Sequence, residues 1–524
     1  MTQKTVDEIK FLSDEAWQIK DLWKPIFQEA YELAMPTRNP YEGNKKQPRS
    51  LARAYDSTAV DVVFRGANRL MMELTPPDQK WHDVKPGPLL KMNYEKAALD
   101  QLDRELSKVV DVQSMIFQSG NFIDAMGEVY IDAYVTGHGF LLTLENTKNP
   151  VNPVAFQAVS QSEVAVLEGP FGEDDFFSRK RKIKVRMIDR LWDDASVPEE
   201  IRAMKSDAKD PEIEVLEVVY NASSEEDVSW RYEVLWLSGD KPVRMVERNY
   251  TSNPWTVFRW SKVAGSPYGP GPVLLALADI RTANTTKEMI LTNAALALAG
   301  MYLVKDDGTV NPDNIIITEG GMIPVASTGG NIGASIVPLE SGRGFDVGQI
   351  VLEDLRDQIR KIMMDNTLPP MTGAVRSATE IIERVRQMVQ DYGGAAGRLS
   401  TGLVNLVQRV QDILRKLGFV PALKIDQFNL KVQINSPMAR SQQLQEVENV
   451  VRWIELSRAV GGEEMLFMGA KLEQIIPWFS DQMGVPADLV RSDTERDVLQ
   501  KNVAQLVAAQ QMQQAEGGLT QQAA

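Results

Sequence analysis

The run Gly265-Ser266-Pro267-Tyr268-Gly269-Pro270-Gly271-Pro272 divides the chain into two kinds of sequence. Glycine has no preferred backbone hand and proline has no N–H to give to a helix or ladder, so no regular element crosses these residues. Before it, short β-rich runs dominate at about 140–145, 163–168, 183–188, 213–220, 229–237, 243–250 and 256–263. Turn formers such as Gly169-Pro170-Phe171-Gly172 and Ser238-Gly239-Asp240 separate them, and 198–205 reads as a short helical insertion. After it comes a long Ala-rich helix, 272–299, then a compact stretch of strands and glycines, 301–344, then a second helix from about Asp346 with Val351, Leu355, Ile359 and Ile362 in register. Strands followed by a helix pair split by an insert predict an α+β fold with segregated layers.

Outward from this centre the chain is helical on both sides. Ile9, Leu12, Ala16, Ile19, Trp23 and Ile26 recur at three- and four-residue steps, and that helix is expected to bend at Pro25 and stop before Pro36. Ala59, Val63, Ala67, Leu70 and Leu74 mark a second helix ending at Pro76-Pro77. Leu99, Leu102, Leu106 and Val109, then Phe122, Met126, Val129 and Ala133, mark two more. On the C-terminal side Leu368-Pro369-Pro370-Met371-Thr372-Gly373-Ala374-Val375-Arg376 breaks the helix. Another opens at Ser377, spaced from Glu380 as in a capping box, loosens at Gly393-Gly394 and stops at Gly418 and Pro421. A Gln/Ala-rich tail, 500–524, has a poor apolar face and is expected to be partly disordered.

Composition excludes several chemistries. The 524 residues include no cysteine, which removes disulfides, thiolate nucleophiles and zinc-thiolate sites, and fits a reducing compartment. The two histidines, His82 and His138, are too few for a His-rich metal centre. The N-terminal residues lack a signal-peptide pattern, and the longest apolar stretch, 294–304, is far short of the roughly 20 residues a membrane span needs, so no membrane partner is expected. A net charge of −15 argues against ordinary phosphate gripping, though not against a channel wall past which DNA slides.

No catalytic constellation emerges. There is no phosphate-binding G-x-x-x-x-G-K-[ST], no nucleophile-elbow G-x-S-x-G, no H-E-x-x-H and no EF-hand spacing. The glycine pairs at 320–321, 329–330 and 393–394 read as turns. His138, in Thr136-Gly137-His138-Gly139, reads as a turn residue tolerant of unusual backbone angles, and His82 as structural. Arg179-Lys180-Arg181-Lys182-Ile183-Lys184-Val185-Arg186 could form a nucleic-acid stripe, but its later charges alternate with apolar residues as on a strand with one wet face, and neighbouring acids offset it. Acidic pairs such as Asp193-Asp194, Glu199-Glu200 and Asp306-Asp307 are expected by chance in so acidic a chain. No cofactor, metal or catalytic residue is assigned.

Five stretches, in order along the chain, carry a resemblance. They are Tyr55-Asp56-Ser57-Thr58-Ala59 running on to Leu74-Thr75-Pro76-Pro77 and Trp81; Val135-Thr136-Gly137-His138-Gly139-Phe140-Leu141-Leu142 with Phe156 and Glu163; the 266–272 segment with Leu277-Ala278-Asp279-Ile280; Ser377-Ala378-Thr379-Glu380 with Arg384; and Asn435-Ser436-Pro437-Met438-Ala439-Arg440. Together they resemble the portal, or head-to-tail connector, proteins of short-tailed bacteriophages from about Phe11 to Thr494; His138 departs from the second threonine or small residue expected there.

The resemblance implies a portal fold in a cyclic ring, a dodecamer. Its parts would be a helical wing (1–145), a β-rich wing (146–265), a first stem helix (266–299), a clip (300–345), a second stem helix (346–366), a tunnel loop (367–376), a helical wing and crown (377–499) and the tail (500–524). The implied function is a virion channel at one capsid vertex, assembled in the host cytoplasm, for DNA packaging and ejection and for tail attachment. Implied partners are other copies of the chain, the terminase large subunit, a tail adaptor, the major capsid and scaffolding proteins, and double-stranded DNA held without sequence preference. The implied DNA-channel residues are Leu368, Pro369, Pro370, Met371, Thr372, Gly373, Ala374, Val375 and Arg376, with Arg376 the single charge among them. In the second stem helix Asp346, Glu353, Asp354, Asp357 and Asp365 outnumber Arg356, Arg360 and Lys361, a mildly repulsive wall. Two other readings stay open: a structural or scaffold virion protein without a channel, and an accessory subunit of a DNA-processing enzyme.

Overall fold

The computed structural model describes residues 4–41, 54–205 apart from 147, 148 and 150, 210–299 apart from 226–227 and 238–241, then 302–304, 336–338, 345–365, 378–421, 429–435, 437–480 apart from 472–473 and 476–477, and 491. Helices and strands come in blocks, and the architecture is α+β. First come α1 (Val6–Ala34), α2 (Thr58–Leu74), β1 (His82–Pro86), α3 (Pro88–Asn93), α4 (Lys96–Ser119) and α5 (Phe122–Thr136). The strand block holds β2 (His138–Glu145), β3 (Val154–Val159), β4 (Val164–Glu168), β5 (Asp174–Lys184), the short helices α6 (Ile188–Leu191) and α7 (Glu199–Met204), β6 (Glu212–Glu225), β7 (Val228–Trp236), β8 (Val243–Tyr250) and β9 (Trp255–Arg259). Then follow α8 (Pro272–Leu275), α9 (Leu277–Ala299), β10 (Tyr302–Val304), β11 (Ile336–Pro338), α10 (Phe345–Ile362), α11 (Ala378–Lys416), β12 (Leu430–Ile434) and α12 (Pro437–Gly469).

β4 to β8 form a five-stranded antiparallel meander, while β2 lies between β3 and β9 in a second sheet. Two further ladders join β10 to β11 and β1 to β12. Strand alternation sorts the meander's side chains between two cores. Val215 and Val219 of β6 face one with Phe177, Tyr232 and Trp255, while Leu216, Val218 and Tyr220 face the other with Ile9 of α1. The largest core is helical, built where α2, α4, α5 and α11 bring together residues such as Val63, Leu70, Tyr130 and Leu406.

The first helix differs from its sequence reading in a way that has a physical cause. It opens with a capping box, the Thr5 hydroxyl accepting the Glu8 N–H while the Glu8 carboxylate accepts the Thr5 N–H, and it runs on through Pro25. Its buried face carries Ser13 and Lys20 among the apolar residues, and Ile26 points to solvent. Lys20 sits inward because its ammonium donates to the carbonyls of Gln161 and Val164, which belong to the turn into β4 and the start of that edge strand. A buried lysine is tolerated only where its donors are satisfied in this way.

Two other readings are corrected. The strand expected at 183–188 instead ends at Lys184, and residues 185–191 turn helically. His138 is not a turn residue with unusual angles: the left-handed position is Gly137, at φ 85°, and His138 is the buried first residue of β2. The stop expected at Gly418 is present, with φ 77°.

Candidate functional site

The residues singled out for the DNA channel, Leu368 to Arg376, lie outside the described residues, as do the tail and all of 301–344 except β10 and β11. The two helices leading toward that segment are described. α9 and α10 run antiparallel. Near one end a methyl-sized group on Gly348 would touch the Ile290 side chain; near the other, Asn284 and Arg356 share one anchor. The anchor is the 55–58 turn. The Tyr55 and Asp56 N–H groups donate to Asn284 Oδ1 at 2.7 and 3.2 Å, and the Arg356 guanidinium donates to Asp56 Oδ2 at 2.6 and 3.0 Å. Burial raises the Asp56 carboxyl, but the bonds from Thr58 and Arg356 outweigh it and hold the group below the usual carboxylate range. Met289 and Leu291 on α9, and Ile350 and Val351 on α10, are exposed, as are Glu353, Asp354 and Asp357.

α10 stops at a tight turn. The Asp365 N–H donates to Arg360 O at 2.8 Å and the Met364 N–H to Lys361 O at 3.1 Å, with Met364 left-handed at φ 57°. Neighbouring helices hold the turn. The Tyr134 hydroxyl of α5 donates to Met363 O, Arg69 of α2 donates to Met364 O at 3.3 Å, and Arg65 and Arg69 pair with the buried Asp365 carboxylate at 3.3 and 3.6 Å. Sequence reasoning passed over this group, although arginines at positions 65 and 69, one helical turn apart in an apolar helix, were a visible signal.

The Gly/Pro run enters α8 through a buried corner. There the carbonyl of Gly137 accepts the Trp260 N–H at 3.0 Å, and the Ser261 hydroxyl donates to Pro270 O at 2.6 Å. A Cβ on Gly137 would lie 2.3 Å from Gly269 O, so only glycine lets the two segments meet. The His138 ring spans the contact: Nε2 accepts the Gly269 N–H at 3.1 Å, which leaves the proton on Nδ1 to donate to Thr136 O at 3.3 Å. Burial, with Arg259 nearby, pushes the imidazole down to about 3, so the ring is neutral. His82 is also buried and neutral, pushed down to about 4 by burial and joined through Gln113 to Gln411 of α11. The hydrogen bonds of the two rings go to backbone groups and a side-chain amide.

Five of the six basic residues in the run from Arg179 to Arg186 are paired with acids. Arg179 and Arg181 point inward with Phe177 onto Glu217 of β6, and Arg179 also pairs with Glu163 at 2.9 Å. Lys180 pairs with Asp14, Lys182 with Glu214 and Arg186 with Asp210. The offsetting acids therefore come from β6 (Glu214 and Glu217) and from segments distant in sequence rather than from the adjacent Glu173–Asp175, and Arg179 is buried while Arg181 is largely so. Asp193 and Asp194 are bound to Arg248. Among the described residues no group of three or more His, Asp or Glu could hold a metal ion, and no helix is long and apolar enough to cross a membrane.

No curated protein sequence matches the chain. The model of a family described as bacteriophage head to tail connecting protein matches residues 6–490, from the first residue of α1 past the end of α12. A match of that extent takes in the sheets, the α9–α10 pair and the helices after them alike, and the chain belongs to the family of bacteriophage head to tail connecting proteins.

Proposed function

We propose that copies of this chain close into a ring, a dodecamer, that forms a DNA channel at one vertex of the phage capsid and carries no enzymatic activity of its own. The observation that carries this reading is the α9–α10 hairpin. Met289, Leu291, Ile350 and Val351 lie exposed on its two helices, a disposition that suits burial against the same hairpin of a neighbouring copy. The acids of α10 would then face a bore that repels DNA weakly, with Arg376 the one charge of the 368–376 segment. In this reading the terminase large subunit supplies the ATP hydrolysis, and a tail adaptor docks on the 300–345 region. Capsid and scaffolding proteins surround the ring during assembly in the host cytoplasm.

The test is direct. Negative-stain images of purified protein are expected to show rings with a central hole, and light scattering to show assembly tightening with salt, because each copy carries a net charge of −15. Monomer at every salt and protein concentration would sink the ring. Arg376→Glu, or removal of residues 370–374, is expected to leave the ring and its melting temperature unchanged while packaging or retention of full-length DNA falls. Normal packaging in both would leave a ring without the assigned channel loop. ATP hydrolysis that copurifies with the ring and survives contaminant controls would overturn the non-enzymatic reading.

A further inference from the structure

We infer that the turn ending α10 is a strained latch held shut by α2, a two-position element rather than a passive helix stop. The backbone carries the first half of the argument. The bonds from Asp365 N–H to Arg360 O and from Met364 N–H to Lys361 O form the pair of reversed contacts that closes a helix with a left-handed residue. That left-handed position is normally glycine, because a Cβ there crowds the following carbonyl; here it is methionine, at φ 57°. Besides Met364, the described residues hold one other non-glycine residue at positive φ, Asp210, and aspartate has a short polar side chain that eases the conformation. Relative to glycine, a residue with a long side chain is disfavoured there by roughly tenfold in population.

The second half is what opposes that strain. Tyr134 of α5 donates to the carbonyl before the strained residue, and Arg69 of α2 to the carbonyl of the strained residue itself. Asp365, immediately after it, is held by Arg65 and Arg69. α2 and α10 run parallel, since Asp56 at the start of α2 meets Arg356 while Arg65 and Arg69 meet Asp365. α2 therefore lies along α10 as a splint fastened at two places, and the second fastening sets the helix length. With that fastening released, Met364 is free to return to the right-handed region and the helix to run past its present end. Strained positions persist only where surroundings over-determine them, and they cluster at elements with two states. The inference rests on this geometry and not on the channel reading.

Hydrogen exchange on the purified full-length protein tests it. Asp365→Asn is expected to speed exchange of the amide at position 365 by about tenfold. Met364→Gly alone is expected to slow it, because glycine removes the strain while the latch stays closed. Combining Met364→Gly with Asp365→Asn is expected to return exchange to within about threefold of the parent, since an unstrained turn needs no clasp. A merely structural ion pair gives the opposite pattern: glycine loosens the turn, and the double variant opens at least as fast as Asp365→Asn. That pattern, or unchanged exchange in Asp365→Asn, overturns the latch. Should Asp365→Asn fail to fold, Met364→Gly alone decides by the sign of its effect.

Discussion

His138 Nε2 accepts the backbone N–H of Gly269 at 3.1 Å, so the corner between α5 and β2 is tied to the segment that launches α8 and α9 by a ring that must stay neutral. That requirement makes the tie sensitive to acid. The folded value of about 3 lies below the unfolded 6.5, so between those values the unfolded chain binds the extra proton. His82, pushed down to about 4, acts in the same direction.

The contribution of the two histidines to stability is therefore expected to be flat above pH 7 and to fall on acidification from pH 6.5, by about 1.4 kcal/mol per histidine at pH 5.5. Urea midpoints taken across pH 5–8 measure this. His138→Gln is expected to flatten the slope by about half; an unchanged slope would mean that the ring is not buried neutral.

The same corner distinguishes crowding from backbone strain. Gly137 and Gly265 are both left-handed, at φ 85° and 78°, but a Cβ on Gly137 would strike Gly269 O whereas one on Gly265 meets nothing within 4 Å. Gly265→Ala is expected to cost about 1 kcal/mol, the price of the backbone alone, and Gly137→Ala at least 3 kcal/mol or the fold itself. Equal melting temperatures for the two variants would refute the packed corner.

Lys20 titrates in the other half of the pH range. Burial pushes its ammonium down to about 7, partly offset by Asp21 and Glu163. The unfolded lysine titrates at 10.5, so the unfolded chain carries more protons between pH 7 and 10.5, and this group makes the fold more stable as pH rises through that window. The gain is about 2 kcal/mol between pH 7 and 9. In Lys20→Met that rise is expected to vanish, so the stability difference between parent and variant changes by about 2 kcal/mol from pH 7 to 9; parallel pH profiles would show that Lys20 is not buried as described.

Glu217 is the shared partner of Arg179 and Arg181 and accepts the Tyr232 hydroxyl at 3.2 Å. Glu217→Gln strands two inward cations and is expected to cost about 3–5 kcal/mol, whereas Lys182→Ala, removing an exposed pair with Glu214, is expected to cost under about 1 kcal/mol. Neither change is expected to alter DNA binding in a filter assay. Loss of binding in Lys182→Ala would restore the nucleic-acid stripe.

Much of this fold was legible because its helices are long and strongly periodic. The inward positions of α2, from Ala59 to Leu74, are all buried, and the α+β order follows from one Gly/Pro break. What escaped was what depends on distant partners. β5 was misplaced because the charges beyond Ile183 alternate with Val185 and Met187 as on a strand, whereas the ladder with β6 runs from Phe176 to Lys184 and stops there. β1, β3 and β12 are five or six residues long and gain meaning only beside the strands they meet. His138 was read from its glycine neighbours, although the unusual backbone belongs to Gly137. The clasp on Asp365 escaped because it joins residues some 300 positions apart.

The pairing of β1 with β12 carries a consequence for how the protein is made. His82 lies opposite Ile434, so β1 leaves the ribosome about 350 residues before its partner exists. At 5–20 residues per second that is roughly 20–70 s of synthesis. Throughout that time β1, packed on α4, has no ladder partner at the edge that β12 later fills. A message truncated before codon 430 would leave that edge permanently open and visible to chaperones and proteases.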